Sequence, residues 1–293
     1  MKLSSQRALE CASTAARAAG RLMCSEKSAP KKINEQTQHD IKLELDVLCQ
    51  KLIEKILLRS FPQAAVLGEE GVSGREDSAL RWVVDPIDGT VNFTYGVPHA
   101  CVSIALQERA EGGAFSTVAG VVYDPFVDEL WSAARGGPAR LNGKVIHASR
   151  RQELAESIVA IGFSKTEDSL NENLPVFNAL VRRVRKIRMM GAAALSLVYV
   201  ASGRFDAYIE SGISLWDIAA GGLILECAGG EFWHRLLAGS TQYRMIANNG
   251  LLRAKLEKVA RDAHQGGRAL TQGRKDPKTH GKKFDHGFHG EHG

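Results

Sequence analysis

Two aspartates at the end of an apolar strand are the residues of this chain best suited to chemistry. A short apolar run leads into Asp85 and is followed by Pro86. Because proline has no backbone N–H for the strand ladder, Asp85 and Asp88 should both emerge where the strand ends. Gly89 then lets the backbone approach a ligand, and the amides of Gly89 and Thr90 would point at an anion. This segment predicts a metal site beside a phosphate-binding turn.

Further acidic residues stand in two other segments. Glu69 and Glu70 follow an apolar run, and Asp217 stands at a predicted helix start. If these segments converge with Asp85 and Asp88, their negative charge needs compensation, which a hard divalent cation would supply. The alternative is that Asp85 and Asp88 merely cap a turn, as an isolated Asp-Pro or Asp-Gly pair usually does.

Oxygen is the ligand atom that these motifs offer, since they contain carboxylates, carbonyls and hydroxyls but no cysteine or histidine. Magnesium fits such a set best, and manganese is the second choice. Pairs of metal ions about 3.5–4 Å apart recur in phosphoryl-transfer enzymes, where they stabilise the attacking and the leaving oxygen. The residues therefore indicate metal-assisted hydrolysis of a phosphate ester.

The elements that must position these acids divide the chain into two halves and a tail. Residues 1–150 predict an α+β half, with a helix at 8–22, a connection at 25–39 and a second helix that opens at Asp40 and is ended by Pro62. Residues 151–263 predict an α/β half, and 264–293 a disordered tail rich in histidine and glycine. Strands are predicted at 64–67, 82–84, 100–106, 118–123, 129–133, 157–162, 186–190 and 207–210, and the later helices at 173–185, 192–202 and 217–227.

Composition excludes several other classes of protein. The 293 residues are 44% hydrophobic and 24% charged, and no apolar run approaches the ~20 residues of a membrane-spanning helix. The tail from 261 onwards supplies +3 of the net charge of +5, and the basic run at 182–188 alternates with apolar residues, so we expect no nucleic-acid binding. Five cysteines without a C-x-x-C pair predict reduced thiols, and no signal peptide is evident, so we expect a cytoplasmic protein.

Three motifs occur together in the chain: Gly68-Glu69-Glu70, then Asp85-Pro86-Ile87-Asp88-Gly89-Thr90 with Asn92-Phe93, and then Trp216-Asp217-Ile218-Ala219-Ala220-Gly221 followed by Ala228-Gly229-Gly230. Their order and spacing resemble the inositol monophosphatase family, the lithium-sensitive, magnesium-dependent phosphatases. The resemblance covers about residues 8–257, and the joint occurrence of the three motifs makes it specific.

The resemblance implies a ligand set for two or three magnesium ions, with manganese as a possible substitute. Glu69, Asp85 and the backbone carbonyl of Ile87 would hold the first ion. Asp85, Asp88 and Asp217 would hold the second, so that Asp85 bridges the two.

The resemblance also implies catalytic residues. Thr90, paired with Asp46, would orient and help deprotonate a metal-activated water for in-line attack on phosphorus. Glu69 completes the expected catalytic set.

Substrate-binding residues follow from the same likeness. The amides of Gly89 and Thr90 would bind phosphate oxygens, with Asp217 beside them. Glu210 falls where the family uses a carboxylate to grip a substrate hydroxyl, whereas Ala192 stands where the family usually has a hydroxyl residue. Substrates other than inositol therefore stay open.

The fold that the resemblance implies is an αβαβα sandwich, commonly dimeric. We predict a Mg2+-dependent phosphomonoesterase that hydrolyses inositol monophosphate, a small-molecule phosphate ester, as a homodimer without nucleic-acid or membrane partners. The alternatives are related enzymes that act on histidinol phosphate, fructose 1,6-bisphosphate or 3′-phosphoadenosine 5′-phosphate. A catalytically silent metal-binding member is a further alternative.

Overall fold

The computed structural model describes residues 5–27, 33–36, 41–75, 77–163 and 167–272. Within these residues the chain forms helices and three sheets. The helices are α1 (Ser5–Glu26), α2 (Glu44–Ser60), α3 (Thr90–Thr94), α4 (Glu167–Leu180), α5 (Ala193–Ala201), α6 (Leu215–Cys227) and α7 (Arg253–Gln272), with a short 3₁₀-helix at Leu154–Glu156. The strands are β1 (Ile33–Gln36), β2 (Ile41–Leu43), β3 (Ala65–Gly68), β4 (Gly71–Ser73), β5 (Leu80–Asp88), β6 (Cys101–Arg109), β7 (Phe115–Asp124), β8 (Glu129–Ala134), β9 (Arg140–Leu141), β10 (Lys144–Val145), β11 (Ile158–Ile161), β12 (Lys186–Arg188), β13 (Ala207–Ile213), β14 (Glu231–Leu236) and β15 (Tyr243–Asn248).

An eight-stranded sheet forms the centre of the first half. Its order is β10-β9-β8-β7-β6-β5-β3-β4, and neighbouring strands are antiparallel except for β3 and β5. Helices α1 and α2 cover one face, where Trp82 and Ile104 are fully buried. Helix α1 buries alanines at helical spacing, such as Ala8, Ala12 and Ala15, which lets it lie close to the sheet. The helix predicted at 8–22 is confirmed.

Helices α5 and α6 lie between this sheet and a five-stranded sheet of order β12-β11-β13-β15-β14. Glycines make the close packing possible: a Cβ on Gly120 of β7 would come within 2.9 Å of the Ala220 carbonyl oxygen in α6. A Cβ on Gly222 of α6 would come within 2.3 Å of the Phe232 ring in β14. Helices α4 and α7 cover the outer face of the five-stranded sheet. The layers run α, β, α, β, α, and the predicted α/β sandwich is confirmed.

The predicted start of the second helix is wrong. Residues 41–43 form β2, which pairs with β1, and α2 begins only at Glu44. The Asp46 carboxylate accepts the Leu43 N–H at 2.7 Å, and this cap determines where the helix begins. Strand β1 lies inside the stretch at 25–39 that the sequence predicts to be a connection.

The second half contains elements that the sequence does not predict, namely β14, β15 and α7. Helix α7 continues to Gln272, past residue 263, where the sequence places the end of the α/β half. Residues 273–293, the rest of the predicted tail, lie outside the described residues. Among the helices that are described, none is long and apolar enough to cross a membrane. The five cysteines are free thiols.

Candidate active site

A cavity of about 560 Å3 takes its walls from both large sheets and from the starts of α3, α5 and α6. The segments that carry the predicted motifs are distant along the chain, and the fold brings them to this one place. The predicted site residues that line the cavity are Glu69, Asp85, Ile87, Asp88, Gly89, Thr90, Glu210 and Asp217.

The end of β5 turns two aspartates into the cavity. Asp85 pairs with Ser103 and Asp88 with Cys101 on β6, so β5 carries one residue more than its partner between these pairs. This is a bulge at the segment that contains Pro86, which cannot donate to the ladder. The predicted end of the strand at Pro86 is wrong, because β5 continues to Asp88 and pairing resumes there. The proline interrupts the ladder only as a bulge, and this bulge lets both carboxylates reach the cavity.

Glu69 reaches the same point because β3 and β5 are parallel neighbours. Gly68 pairs with Val84, so the next residues on the two strands, Glu69 and Asp85, lie side by side at one sheet edge. The Glu69 N–H donates to the Val84 carbonyl at 3.1 Å. A Cβ on Gly68 would come 2.1 Å from Oε1 of Gln50 on α2. This oxygen accepts the Glu70 N–H at 2.9 Å. Only glycine at position 68 leaves room for the Gln50 side-chain amide to hold the turn that carries Glu69.

Four carboxylates meet at this edge. One oxygen from each of Asp85, Asp88 and Asp217 lies within 4.8 Å of the other two. Asp85 is also within hydrogen-bonding reach of Glu69 and of Asp217. The alternative that Asp85 and Asp88 only cap a turn fails, because a turn cap would not gather acids from three separate segments.

Helix N-termini hold two of these carboxylates. Asp88 accepts the N–H groups of Ala193 at 3.0 Å and Ala194 at 2.8 Å, at the start of α5. Asp217, in the first turn of α6, accepts the Ser214 N–H at 2.9 Å. The positive ends of two helix dipoles thus face the acidic cluster and offset part of its repulsion.

Burial raises the pKa of every member of the cluster. It is the largest cause of the increase to about 8 for Glu69 and Asp217 and to about 6 for Asp88, and it raises the pKa of Asp85 well above its ordinary value. The negative charge of neighbouring acids adds to the increase for Glu69, Asp85 and Asp217. Without cations such a cluster cannot be fully ionised at neutral pH. Its donors are all oxygen, so the residues present fit magnesium.

Asp46 is the predicted site residue that lies apart from the cavity. Asp46 is not among the described residues that line the cavity. Its side chain is buried and caps the start of α2 by accepting the Leu43 N–H. The Thr90 hydroxyl lines the cavity and donates to the Ile87 carbonyl at 2.8 Å rather than to Asp46. The charge of Asp46 nevertheless contributes to the raised pKa of Glu69. Its catalytic role stays a prediction.

Glu210 on β13 is the charged residue of the wall that the five-stranded sheet provides. Burial raises its pKa to about 7, and the hydroxyl of Tyr208 donates to its Oε2. The rest of this wall is mostly apolar and contains Ile161, Phe163, Met189, Met190 and Ile213.

Two further residues also shape the site: Tyr208, which no motif contains, and Asn92, which belongs to the second motif but has no role assigned to it from the sequence. Tyr208 stands two positions before Glu210, and the period of a strand would have placed both on one face. The Nδ2 atom of Asn92 donates to the carbonyls of His99 at 2.9 Å and Met190 at 2.8 Å, which ties α3 to the turn before α5. No local sequence pattern indicates the hydrogen bond from Asn92 to the Met190 carbonyl.

Comparisons with known proteins agree with this geometry. A family model described as the inositol monophosphatase family matches residues 4–268. A protein named Nus factor SuhB from Xylella fastidiosa is 41% identical over 197 residues, which is 67% of this chain and 70% of that protein. An inositol-1-monophosphatase from Rhizobium meliloti is 38% identical over 190 residues, 64% of this chain and 69% of that protein. The solved structure of the extragenic suppressor protein suhB from Bartonella henselae superposes with a TM-score of 0.79 at 32% identity, covering 86% of this chain and 98% of that one.

Proposed function

The chain belongs to the inositol monophosphatase family, and from this premise we propose that it is a magnesium-dependent phosphomonoesterase acting on inositol monophosphate or a similar polyol phosphate. The observation that carries the proposal is the convergence of four carboxylates from distant segments on one cavity. The oxygen-only donor set and the raised pKa values call for a hard divalent cation.

The ligand assignment rests on the family motifs and on this convergence. Glu69, Asp85 and the carbonyl of Ile87 would hold one magnesium ion. Asp85, Asp88 and Asp217 would hold another. When bound, magnesium would neutralise phosphate charge and lower the pKa of a water molecule.

The turn after β5 would receive the phosphate group. Gly89 has a φ of 94°, and a Cβ there would come 3.0 Å from the His99 carbonyl oxygen, so glycine suits this position. The N–H groups of Gly89 and Thr90 would then donate to phosphate oxygens. Because the Thr90 hydroxyl donates to the Ile87 carbonyl, its lone pairs are left to accept from, and so orient, the attacking water.

The lining of the cavity favours a substrate with a single phosphate. No lysine, arginine or histidine occurs among the described residues that line it. The second phosphate of fructose 1,6-bisphosphate or 3′-phosphoadenosine 5′-phosphate would meet no cationic side chain among these described lining residues. Glu210 would instead accept from a hydroxyl of a polyol, or from the ammonium group of histidinol phosphate.

A homodimer is part of the proposal. Tyr95 is 75% exposed and Met189 is 62% exposed, and the contact of Asn92 with Met190 joins their two segments beside the cavity. Such exposed apolar side chains favour contact with a second copy. Sedimentation of the purified protein at twice the chain mass would support the dimer, whereas a monomer at micromolar concentration would contradict it.

The decisive experiment is a substrate panel. We expect phosphate release with magnesium, highest for inositol 1-phosphate and lower for histidinol phosphate and the two bisphosphates, with none in chelator. Asp217→Asn prepared in parallel controls for a contaminating phosphatase, because it removes ligand charge but can keep the bond to the Ser214 N–H. Hydrolysis in chelator, or of no ester at all, would contradict the proposal.

A second candidate function is the one that the name Nus factor SuhB denotes, which several similar proteins carry. Acting as a Nus factor, like binding metal as a catalytically silent member, would not require hydrolysis of a phosphate ester. Asp217→Asn separates the two functions. If this variant, without phosphatase activity, still replaces the Xylella fastidiosa relative in cells, the second role is independent of catalysis.

A further inference from the structure

Tyr208 and Glu210 share one face of β13, and both line the cavity. The Tyr208 side chain is 3% exposed, and its hydroxyl donates to Oε2 of Glu210. In the sheet, Tyr208 is flanked by Ala160 on β11 and Ala247 on β15. All three residues belong to one buried apolar cluster, so packing restricts the ring.

Gly162 also restricts the Glu210 carboxylate, through a close approach of its backbone. A Cβ at this position would come 1.8 Å from Oε2 of Glu210, so the carboxylate lies directly over the Gly162 backbone. The Gly162 N–H donates to the Ile209 carbonyl at 3.1 Å, which fixes this backbone to β13. Glu210 therefore has one oxygen engaged by Tyr208 and little freedom to rotate.

The phenol also favours the form of Glu210 that can accept a hydrogen bond. Burial and the charge of Asp88 raise the pKa of Glu210, whereas the Tyr208 hydroxyl lowers it. The ionised carboxylate is the stronger acceptor for a substrate hydroxyl, and the Tyr208 hydrogen bond favours this form by lowering the pKa of Glu210.

We propose that Tyr208 is a positioning residue whose hydroxyl holds Glu210 so that its other oxygen accepts a hydroxyl of the substrate's alcohol part, which makes the pair a selectivity element for polyol esters. This inference rests on the proposed phosphatase function. It assigns no contact between Tyr208 and the reacting phosphate.

Tyr208→Phe tests the inference through a ratio of two substrates. Inositol 1-phosphate offers hydroxyls to Glu210, and phenyl phosphate offers none. We expect KM for inositol 1-phosphate to rise about tenfold with kcat within about twofold, as for loss of a hydrogen bond to a charged group. The ratio of kcat/KM between the two esters should fall by a similar factor.

Tyr123→Phe is the matched control. Tyr123 is also buried and its hydroxyl also donates to a carboxylate, that of Asp128 at 3.0 Å, but it does not line the cavity. This variant should leave the substrate ratio unchanged.

The double variant shows whether Tyr208 acts through Glu210. Glu210→Gln alone should lower the ratio, and adding Tyr208→Phe should lower it by less than a further twofold. If Tyr208→Phe does not fold, Gly162→Ala provides the second test, because its Cβ would push Oε2 of Glu210 away from the Tyr208 hydroxyl while Tyr208 stays intact. The ratio should fall again, and an unchanged ratio would overturn the proposal.

The outcomes separate the two proposals. An active wild-type enzyme with an unchanged ratio in Tyr208→Phe, or with additive losses in the double variant, overturns the positioning role alone. A wild-type protein that hydrolyses neither ester with magnesium overturns the phosphatase function and the role of Tyr208 with it.

Discussion

Magnesium affinity should increase steeply with pH, because the cation must displace protons from the acidic cluster. Glu69 and Asp217 have pKa values of about 8, raised by burial and by neighbouring acids. At pH 7 a group with a pKa of about 8 is protonated about 90% of the time, which weakens cation binding about tenfold. Between about pH 7 and pH 9 the apparent affinity should therefore rise about tenfold if one proton is displaced and about 100-fold if two are.

Isothermal titration calorimetry measures both the affinity and the protons released. Titrations with magnesium at about pH 6.5, 7.5 and 8.5, each in two buffers of different ionisation heat, give the number of protons displaced. In Glu69→Gln, one displaceable proton is gone, so the pH dependence should become shallower even though the affinity at high pH is lower. Glu70→Gln is the comparison variant, because Glu70 is the adjacent acid and does not line the cavity. Its charge contributes to the raised pKa of Glu69, so this variant should move the pH dependence slightly to lower pH but leave the number of released protons unchanged.

The direction of this pH dependence follows from the charge of the carboxylates. A carboxylate below its pKa carries a proton and does not bind a cation, so affinity must fall as pH falls. An affinity that is constant from about pH 6.5 to 8.5, with no proton release, would mean that the four carboxylates are ionised without a metal. Burial would then not control the ionisation of these carboxylates, and their pKa values would no longer indicate a cation site.

Asp217→Asn should lower magnesium-dependent kcat/KM by about 100-fold or more, while the melting temperature of the metal-free protein is retained, as activity assays and scanning calorimetry would show. In chelator, the free energy of unfolding should fall as pH rises from about 4.5, the ordinary pKa of a glutamate, towards 8, because the folded cluster binds protons that the unfolded chain releases. Urea titrations across this pH range check the sign of the change. Added magnesium should restore most of the stability at the high end of the range. Asp206→Ala should destabilise the fold by about 3–5 kcal/mol in urea unfolding, because this fully buried carboxylate accepts from Ser149, from Arg151 at 2.7 Å and from the Ile158 N–H at 2.8 Å.

The acids of the site could be predicted because each stands beside a local signal. A proline follows Asp85, a glycine precedes Glu69, and Asp217 opens a helix after a polar cap. Their meeting at one edge depends on long-range pairing, such as the parallel register of β3 with β5, which no local pattern encodes. The family likeness supplied that information where the spacing of residues could not.

The errors have a common physical origin. The apolar residue Ile41 extends the helical pattern of α2 backwards, but the cap by Asp46 starts the helix at Glu44 and leaves Ile41 in a strand. Strand β15 lies between β13 and β14 and is antiparallel to both. Its pairing with β14 is between neighbours in the chain, whereas its pairing with β13 spans α6 and β14. Tertiary pairing and capping thus override a weak local period.

The same capping chemistry explains how a folded chain holds so many like charges together. Asp85 gives one oxygen to the Ile87 N–H at 3.0 Å, Asp217 gives one to a backbone N–H before α6, and Asp88 takes the first N–H groups of α5. Each carboxylate is therefore oriented by the main chain, while it retains lone pairs that can face a cation. Because the backbone fixes the ligands before any ion arrives, binding needs little rearrangement. At high pH, where the carboxylates are ionised, their mutual repulsion in the metal-free cluster favours the uptake of magnesium.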